Sequence, residues 1–118
     1  MKTLFLIFAL TALTYNLSHA QSKFELEPSQ SMLMTGKGKG QDGAINPFYG
    51  QDCYAIVQNS GSSEFSVRIQ KKGKVIKNIT LSAQETKRIK LLKDQELYID
   101  TNAVDKASLK LDFEKIEN

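Results

Sequence analysis

The sequence predicts an all-β protein, a small antiparallel β-sandwich of about six or seven strands with one long glycine-rich loop. Two observations predict this fold class. From Tyr54 onward apolar residues recur at every second position, the spacing that places them on one face of a strand. Short clusters of turn-forming residues separate these runs, and connections of that length favour antiparallel neighbours over crossover helices.

The clearest strand pattern lies at residues 65–69. Phe65, Val67 and Ile69 share one face, and the polar residues between them share the other. The same alternation predicts strands at 54–58, 75–81, 96–101 and 109–113, a short first strand at 24–26, and turns at 59–62, 71–73 and 102–106.

Residues 82–93 fit two structures. Ser82 followed by Glu85 has the spacing of a capping box that would open a helix through Lys93. Ile89 and Leu91, however, alternate with basic residues as they would in a strand. The poor helical spacing of the apolar residues favours the strand.

In general plan these strands and turns are similar to immunoglobulin-like and fibronectin-like secreted sandwiches. The similarity is architectural, and no family motif accompanies it. It therefore implies a fold and no activity.

Residues 1–20 have the pattern of a cleaved secretory signal peptide. A positive residue at Lys2 precedes an apolar stretch over 4–13, and small residues at Ser18 and Ala20 mark the cleavage site. The stretch is too short to span a bilayer, and Gln21 in place of a cysteine argues against a lipid anchor. We therefore expect residues 21–118 to form one secreted domain, periplasmic or extracellular, and the richness in Lys, Asn and Ile is typical of bacteria.

Removal of this leader also removes His19, the only histidine. Histidine-dependent nucleophiles, general bases and zinc sites are thereby excluded. The single cysteine, Cys53, begins an apolar run and is interpreted as a small buried hydrophobe. Met32 and Met34 would share a strand face, where core packing is favoured over a copper(I) site. The prediction is a protein with no catalytic residues, metal or cofactor.

The glycine-rich loop, residues 35–50, holds five of the seven glycines. Its G-x-G-x-x-G spacing lacks the strand and helix of a dinucleotide site and is discarded. One hypothesis has Lys37 and Lys39 present ammonium groups, with free backbone N–H groups, to an anion. Another has Phe48 and Tyr49 stack on a sugar ring.

The structural interpretation of the same loop is a long connection. Its residues Ile45, Pro47, Phe48 and Tyr49 would fold back over one edge of the sandwich. Asp42 and Asp52 border the loop and offer a pair of carboxylates for acid–base catalysis or calcium, although nothing in their spacing requires it.

Charge is distributed unevenly along the chain. Residues 68–93 contain nine basic residues and one acidic residue, Glu85. A candidate basic patch comprises Arg68, Lys71, Lys72, Lys74, Lys87, Arg88 and Lys90. Such a patch suits an acidic partner such as an anionic polysaccharide, lipopolysaccharide or extracellular DNA, although the small net charge argues against a dedicated nucleic-acid binder. The partners expected for the whole domain are an envelope protein or an acidic polysaccharide. The alternative is that these charges keep solvent-facing strands soluble and blunt their edges.

The favoured hypothesis is a secreted, non-enzymatic binding or structural domain of the cell envelope or extracellular space, acting through a sheet face or the loop. The alternative is a module for a small anion or saccharide that uses the loop. A hydrolase working with carboxylates alone is the least favoured. The sequence leaves the partner and the oligomeric state open.

Overall fold

The computed structural model of the chain describes residues 21–116, which form eight β-strands. The predicted signal peptide, residues 1–20, lies outside the described residues. The strands are β1 (Ser22–Leu26), β2 (Ser31–Thr35), β3 (Cys53–Asn59), β4 (Phe65–Lys71), β5 (Lys74–Leu81), β6 (Thr86–Leu91), β7 (Glu96–Thr101) and β8 (Ala107–Lys115). Over residues 21–116, no helix long and apolar enough to cross a bilayer is found.

The all-β sandwich is confirmed, with eight strands in place of six or seven. The additional strand is β2, which the alternation rule misses for a physical reason. Its apolar residues are contiguous, and a register shift between Leu33 and Thr35 lets neighbouring Met34 and Thr35 both be buried. Met34 lies in the core and Met32 packs against it, so the core-packing interpretation of the methionines is confirmed.

The two sheets each contain four antiparallel strands, in the orders β1-β8-β3-β6 and β2-β7-β4-β5. Among the described strands, only β4 and β5 are consecutive strands that pair with each other; every other connection crosses between the sheets. This is the order of a jelly roll. An immunoglobulin sandwich instead places its first, second, fifth and fourth strands in one sheet, so this chain shares with it the two-sheet architecture and differs in strand order.

The core lies between the two sheets, and in β3, β4, β6, β7 and β8 it is built from alternate residues. Phe65, Val67 and Ile69 are buried, which confirms the face assignment for β4. Cys53 is fully buried and unpaired, as expected of a small apolar residue. The inner faces therefore provide the packing that the fold needs, and they leave the two outer faces to solvent.

Residues 86–91 form a strand, so the strand interpretation of this region is confirmed. The side-chain contact expected of a capping box is present, but it stabilises the turn between β5 and β6 and no helix begins there. The Ser82 N–H donates to Glu85 Oε1 at 2.9 Å, and the Glu85 N–H donates to the Ser82 carbonyl at 3.0 Å. Gln84, at φ 65°, completes the reversal between the two sheets.

Candidate binding surfaces

The glycine-rich loop is organised around the carboxylate of Asp42. It accepts hydrogen bonds from the N–H groups of Gly36, Lys37 and Gly38 at 3.0, 2.9 and 3.1 Å. It also accepts the hydroxyl of buried Thr35 at 3.2 Å. The backbone donors of residues 36–38 are therefore occupied by the chain's own carboxylate, which weakens the anion hypothesis and leaves it mainly the exposed ammonium groups of Lys37 and Lys39.

The loop also covers the free edge of β2. The N–H groups of Gly43 and Ala44 donate to the carbonyls of Leu33 and Met34, each at 2.9 Å. Gly43 is required at this approach, because a Cβ there would lie 2.9 Å from the Leu33 oxygen. Edge covering is thus a real function of the loop, but residues 43 and 44 perform it, whereas Ile45 is 88% exposed.

The two loop aromatics have different surroundings. The Phe48 N–H donates to Asn46 Oδ1 at 2.8 Å, and its ring packs against the core. Tyr49 is half-exposed and lines a cleft of about 140 Å³ between the loop and the β6–β7 turn. Stacking on a sugar ring therefore rests on Tyr49 alone.

The two carboxylates proposed for catalysis have structural contacts. Asp42 organises the loop as described, and Asp52 Oδ1 accepts the Lys93 N–H at 2.7 Å. No cluster of three or more His, Cys, Asp or Glu suited to a metal ion occurs among residues 21–116.

The seven residues of the predicted basic patch are distributed over different parts of the sandwich. Arg68 lies on the outer face of β4, whereas Arg88 and Lys90 lie on β6 in the other sheet. Lys71, Lys72 and Lys74 surround the β4–β5 hairpin turn. Lys87, on β6, donates to the Thr80 carbonyl at 3.2 Å.

A hydrogen-bonded cluster of polar side chains lies on the outer face of the β2-β7-β4-β5 sheet. We call it the Arg68 network; its members are Ser31, Arg68, Gln70, Glu96, Tyr98 and Asp100. Arg68 forms a bidentate pair with Asp100, with Nε–Oδ2 at 2.8 Å and Nη2–Oδ1 at 3.0 Å. Its guanidinium also donates to Ser31 Oγ at 2.8 Å and to Gln70.

An aromatic ring completes this cluster. The guanidinium carbon of Arg68 lies 4.2 Å from the centroid of the Tyr98 ring, a cation–π distance. The Tyr98 hydroxyl donates to Glu96 Oε1 at 3.2 Å, and Gln70 Nε2 donates to the same oxygen at 3.3 Å. Each long side chain is thus held in one orientation by its neighbours.

Electrostatics strengthen the pair at the centre. The hydrogen bond from Arg68 lowers the pKa of Asp100, and the bond to Asp100 raises the pKa of Arg68. The two side chains are 23% and 31% exposed, so they remain accessible while paired. At neutral pH the network presents a fixed, ionised pair to solvent.

Sequence reasoning identified Arg68 only as one cation among many and missed the other members. The signal is the polar alternation of β7, where Glu96, Tyr98 and Asp100 occupy every second position. Their neighbours on β4 and β2 are distant in sequence, and the strand register that joins them is visible only in the structure.

No protein family and no curated protein matches this sequence. Among solved structures the chain is similar to PirA, with a TM-score of 0.61 and 16% identity over 79% of this chain and 92% of that chain. It also matches the Yersinia pseudotuberculosis-derived mitogen, with a TM-score of 0.49 and 12% identity over 85% and 87% of the two chains. A pilus protein of Bacillus endospore appendages gives a TM-score of 0.43 and 11% identity over 84% and 89%. The similarity to PirA shows a shared fold, and at this identity it shows the fold alone.

Proposed function

We propose that this chain is a non-enzymatic binding domain of the cell envelope or extracellular space that engages its partner through the Arg68 network. The observation that carries the proposal is that the side chains of that network are hydrogen-bonded to one another yet remain accessible. Its central pair is about one-quarter to one-third exposed while every member is held by at least one hydrogen bond.

Order of this kind lowers the cost of binding. Immobilising a rotamer-rich side chain at an interface costs about 0.5–1.5 kcal/mol, and side chains already held in place avoid much of that cost. Arginine and tyrosine are also enriched among the residues that dominate interface energies. The outer sheet face therefore combines suitable residue types with preorganisation.

The non-enzymatic part of the proposal is supported by the state of the carboxylates and by the absence of histidine after the leader. Arg68 holds Asp100 in its ionised form, which makes Asp100 a poor proton donor. The Asp42 carboxylate is already engaged by three backbone N–H groups. The predicted signal peptide supports a location outside the cytoplasm.

A binding screen tests the proposal. The purified protein is applied to glycan arrays and to envelope-protein fractions, and each partner is then measured against variants whose folding is checked by circular dichroism. Arg68→Ala is expected to weaken binding about tenfold or more, as for a central interface arginine. Arg88→Ala is the matched control, because Arg88 likewise stacks on a tyrosine, Tyr54, on the opposite sheet.

The outcomes separate the hypotheses. Retention of binding by folded Arg68→Ala overturns the role of the network. Loss of binding in Lys37→Ala combined with Lys39→Ala transfers the site to the glycine-rich loop. A screen without any partner above background contradicts a binding function.

A further inference from the structure

The two edges of the β2-β7-β4-β5 sheet differ in their exposure. Residues 43 and 44 cover β2, whereas β5 is eight residues long and no backbone hydrogen bond from residues 21–116 covers its outer side. Residues 74–78 of this edge are all exposed. An uncovered strand edge presents a row of N–H and C=O groups that another strand can pair with.

A bulge creates an apolar site beside this edge. The β4–β5 register shifts between Ile69 and Gln70, and Ile76 is the residue left without a direct partner. Val75 and Ile76 are 52% and 53% exposed, and Leu92, across the opening between the sheets, is 42% exposed. Ile76 and Leu92 line a cleft of about 220 Å³ that has buried Ile69 as part of its lining.

The charge around the cleft has one sign. Lys77 and Lys90 line it, and no carboxylate does. Lys74 begins the same strand, directly after the hairpin turn that carries Lys71 and Lys72. Lysines on an edge repel a second copy of that edge, and the same lysines attract an acidic strand.

We infer that the β5 edge binds an extended, acidic segment of another protein by strand addition. The backbone of the segment pairs with β5, one of its apolar side chains enters the Ile76–Leu92 cleft, and its carboxylates approach Lys74, Lys77 and Lys90. A polypeptide is favoured over a lipid or a small anion because only a polypeptide satisfies the row of backbone groups. This inference goes beyond the proposed function and does not require the Arg68 network.

The test measures binding of a capped peptide of alternating valine and glutamate to a protein comprising residues 21–118. The peptide has the same length as β5. We expect saturable binding by calorimetry and slower hydrogen exchange of alternate β5 amides. The same peptide with lysine in place of glutamate, or with N-methylated backbone groups, is expected not to bind. Binding by the N-methylated peptide, or unchanged β5 exchange in the bound state, overturns strand addition.

Variants test the site. Lys74→Glu with Lys77→Glu is expected to weaken binding about tenfold or more, because each contact changes from attraction to repulsion. Lys37→Glu with Lys39→Glu is the matched control; it makes the same change in net charge in the loop that covers the opposite edge. Equal effects of the two double variants overturn the assignment to β5.

Two further measurements distinguish other occupants. Binding to phosphatidylglycerol vesicles without binding to the peptide overturns the inference in favour of a lipid surface. Self-association in sedimentation velocity that Lys74→Glu with Lys77→Glu abolishes, without peptide binding, overturns it in favour of a second copy. Arg68→Ala is expected to leave peptide binding unchanged, so failure here and failure of the proposed function are separable.

Discussion

Asp42 shows how one side chain determines the conformation of a long loop. Its carboxylate receives three successive backbone N–H groups, the arrangement that glycine-rich segments often offer to a bound anion. Here the chain supplies the anion itself. The lysine and glycine content of the loop therefore suggests a site for an external anion more strongly than the structure does.

Replacement of Asp42 tests this role. Asp42→Ala leaves the N–H groups of Gly36, Lys37 and Gly38 without their acceptor and is expected to lower the free energy of unfolding by about 2 kcal/mol. Urea titration measures the loss. Asp105→Ala, at an exposed turn position, is expected to stay within about 0.5 kcal/mol of the wild type. Equal stabilities of the two variants would show that the loop does not depend on Asp42.

Cys53 gives a pH-dependent prediction. Burial raises the pKa of its thiol above the ordinary value of 9.0. Well below pH 9.0 the thiol is protonated in both the folded and the unfolded states. Above it only the unfolded state ionises freely, so stability should fall as the pH rises toward the folded-state pKa.

Two measurements check this prediction. Native protein should react slowly with a thiol reagent and rapidly once unfolded. Urea titrations on both sides of pH 9.0 should show a loss of stability that is smaller in Cys53→Ala. A fast native reaction would contradict the burial of the thiol.

Asp100 gives the opposite dependence on pH. The hydrogen bond from Arg68 lowers its pKa below 3.8, so the folded state favours the ionised form. The resulting stabilisation is present above pH 3.8 and is lost as the pH falls through the pKa of Asp100 in the folded protein. Asp100→Asn should flatten this part of the stability profile, and NMR titration of the carboxyl group reports the pKa directly. A carboxyl that titrates at or above its ordinary value would contradict the ion pair.

At the scale of elements, three connections between the sheets share one design. In each, the N–H of the first turn residue donates to a Glu or Gln side chain three positions later: Glu27 to Gln30, Ser82 to Glu85, and Leu92 to Gln95. The third residue of each turn has a positive φ. This spacing resembles a capping box, which explains why the second turn suggested a helix from sequence.

Variants of the β6–β7 turn test this design. Gln95→Ala removes the side-chain acceptor and is expected to destabilise the protein by about 1 kcal/mol. Asp94→Gly is expected to stabilise the protein, because glycine adopts φ 71° without steric cost. Thermal or urea unfolding measures both. A stabilising Gln95→Ala would contradict the shared design.

The sequence predicts which residues of an element face the core more reliably than it predicts where the element lies. Alternation is a local property, so the inward faces of β4 and β7 follow from it directly. The sheet to which a strand belongs depends on the turn before it. A short turn either returns the chain to the same sheet, as a hairpin, or carries it across to the other sheet, and the length of the turn does not distinguish the two. The sequence therefore predicts the two-sheet sandwich and leaves its strand order undetermined.

At the scale of the molecule, the jelly roll brings distant segments together on its outer faces. Arg68 meets Asp100, 32 positions away, and Ser31, 37 positions away. These contacts exist only because β7 lies between β2 and β4. The candidate site was invisible to sequence reasoning because its members are joined by register, whereas the glycine-rich loop was visible because its members are contiguous.

The same topology leaves the protein with an asymmetric surface. One edge of the β2-β7-β4-β5 sheet is covered by the loop, and the other is open and rich in lysine. The outer face between these edges carries the Arg68 network. We therefore expect recognition to use this sheet, with the loop acting as a structural element.

NMR shift mapping with the partner recovered in the binding screen tests this expectation most directly. We predict that amide resonances of residues 66–70 and 96–100 move on addition of the partner, while those of 36–49 stay in place. Shifts confined to residues 36–49, with the outer sheet face unmoved, would contradict the account and assign binding to the glycine-rich loop.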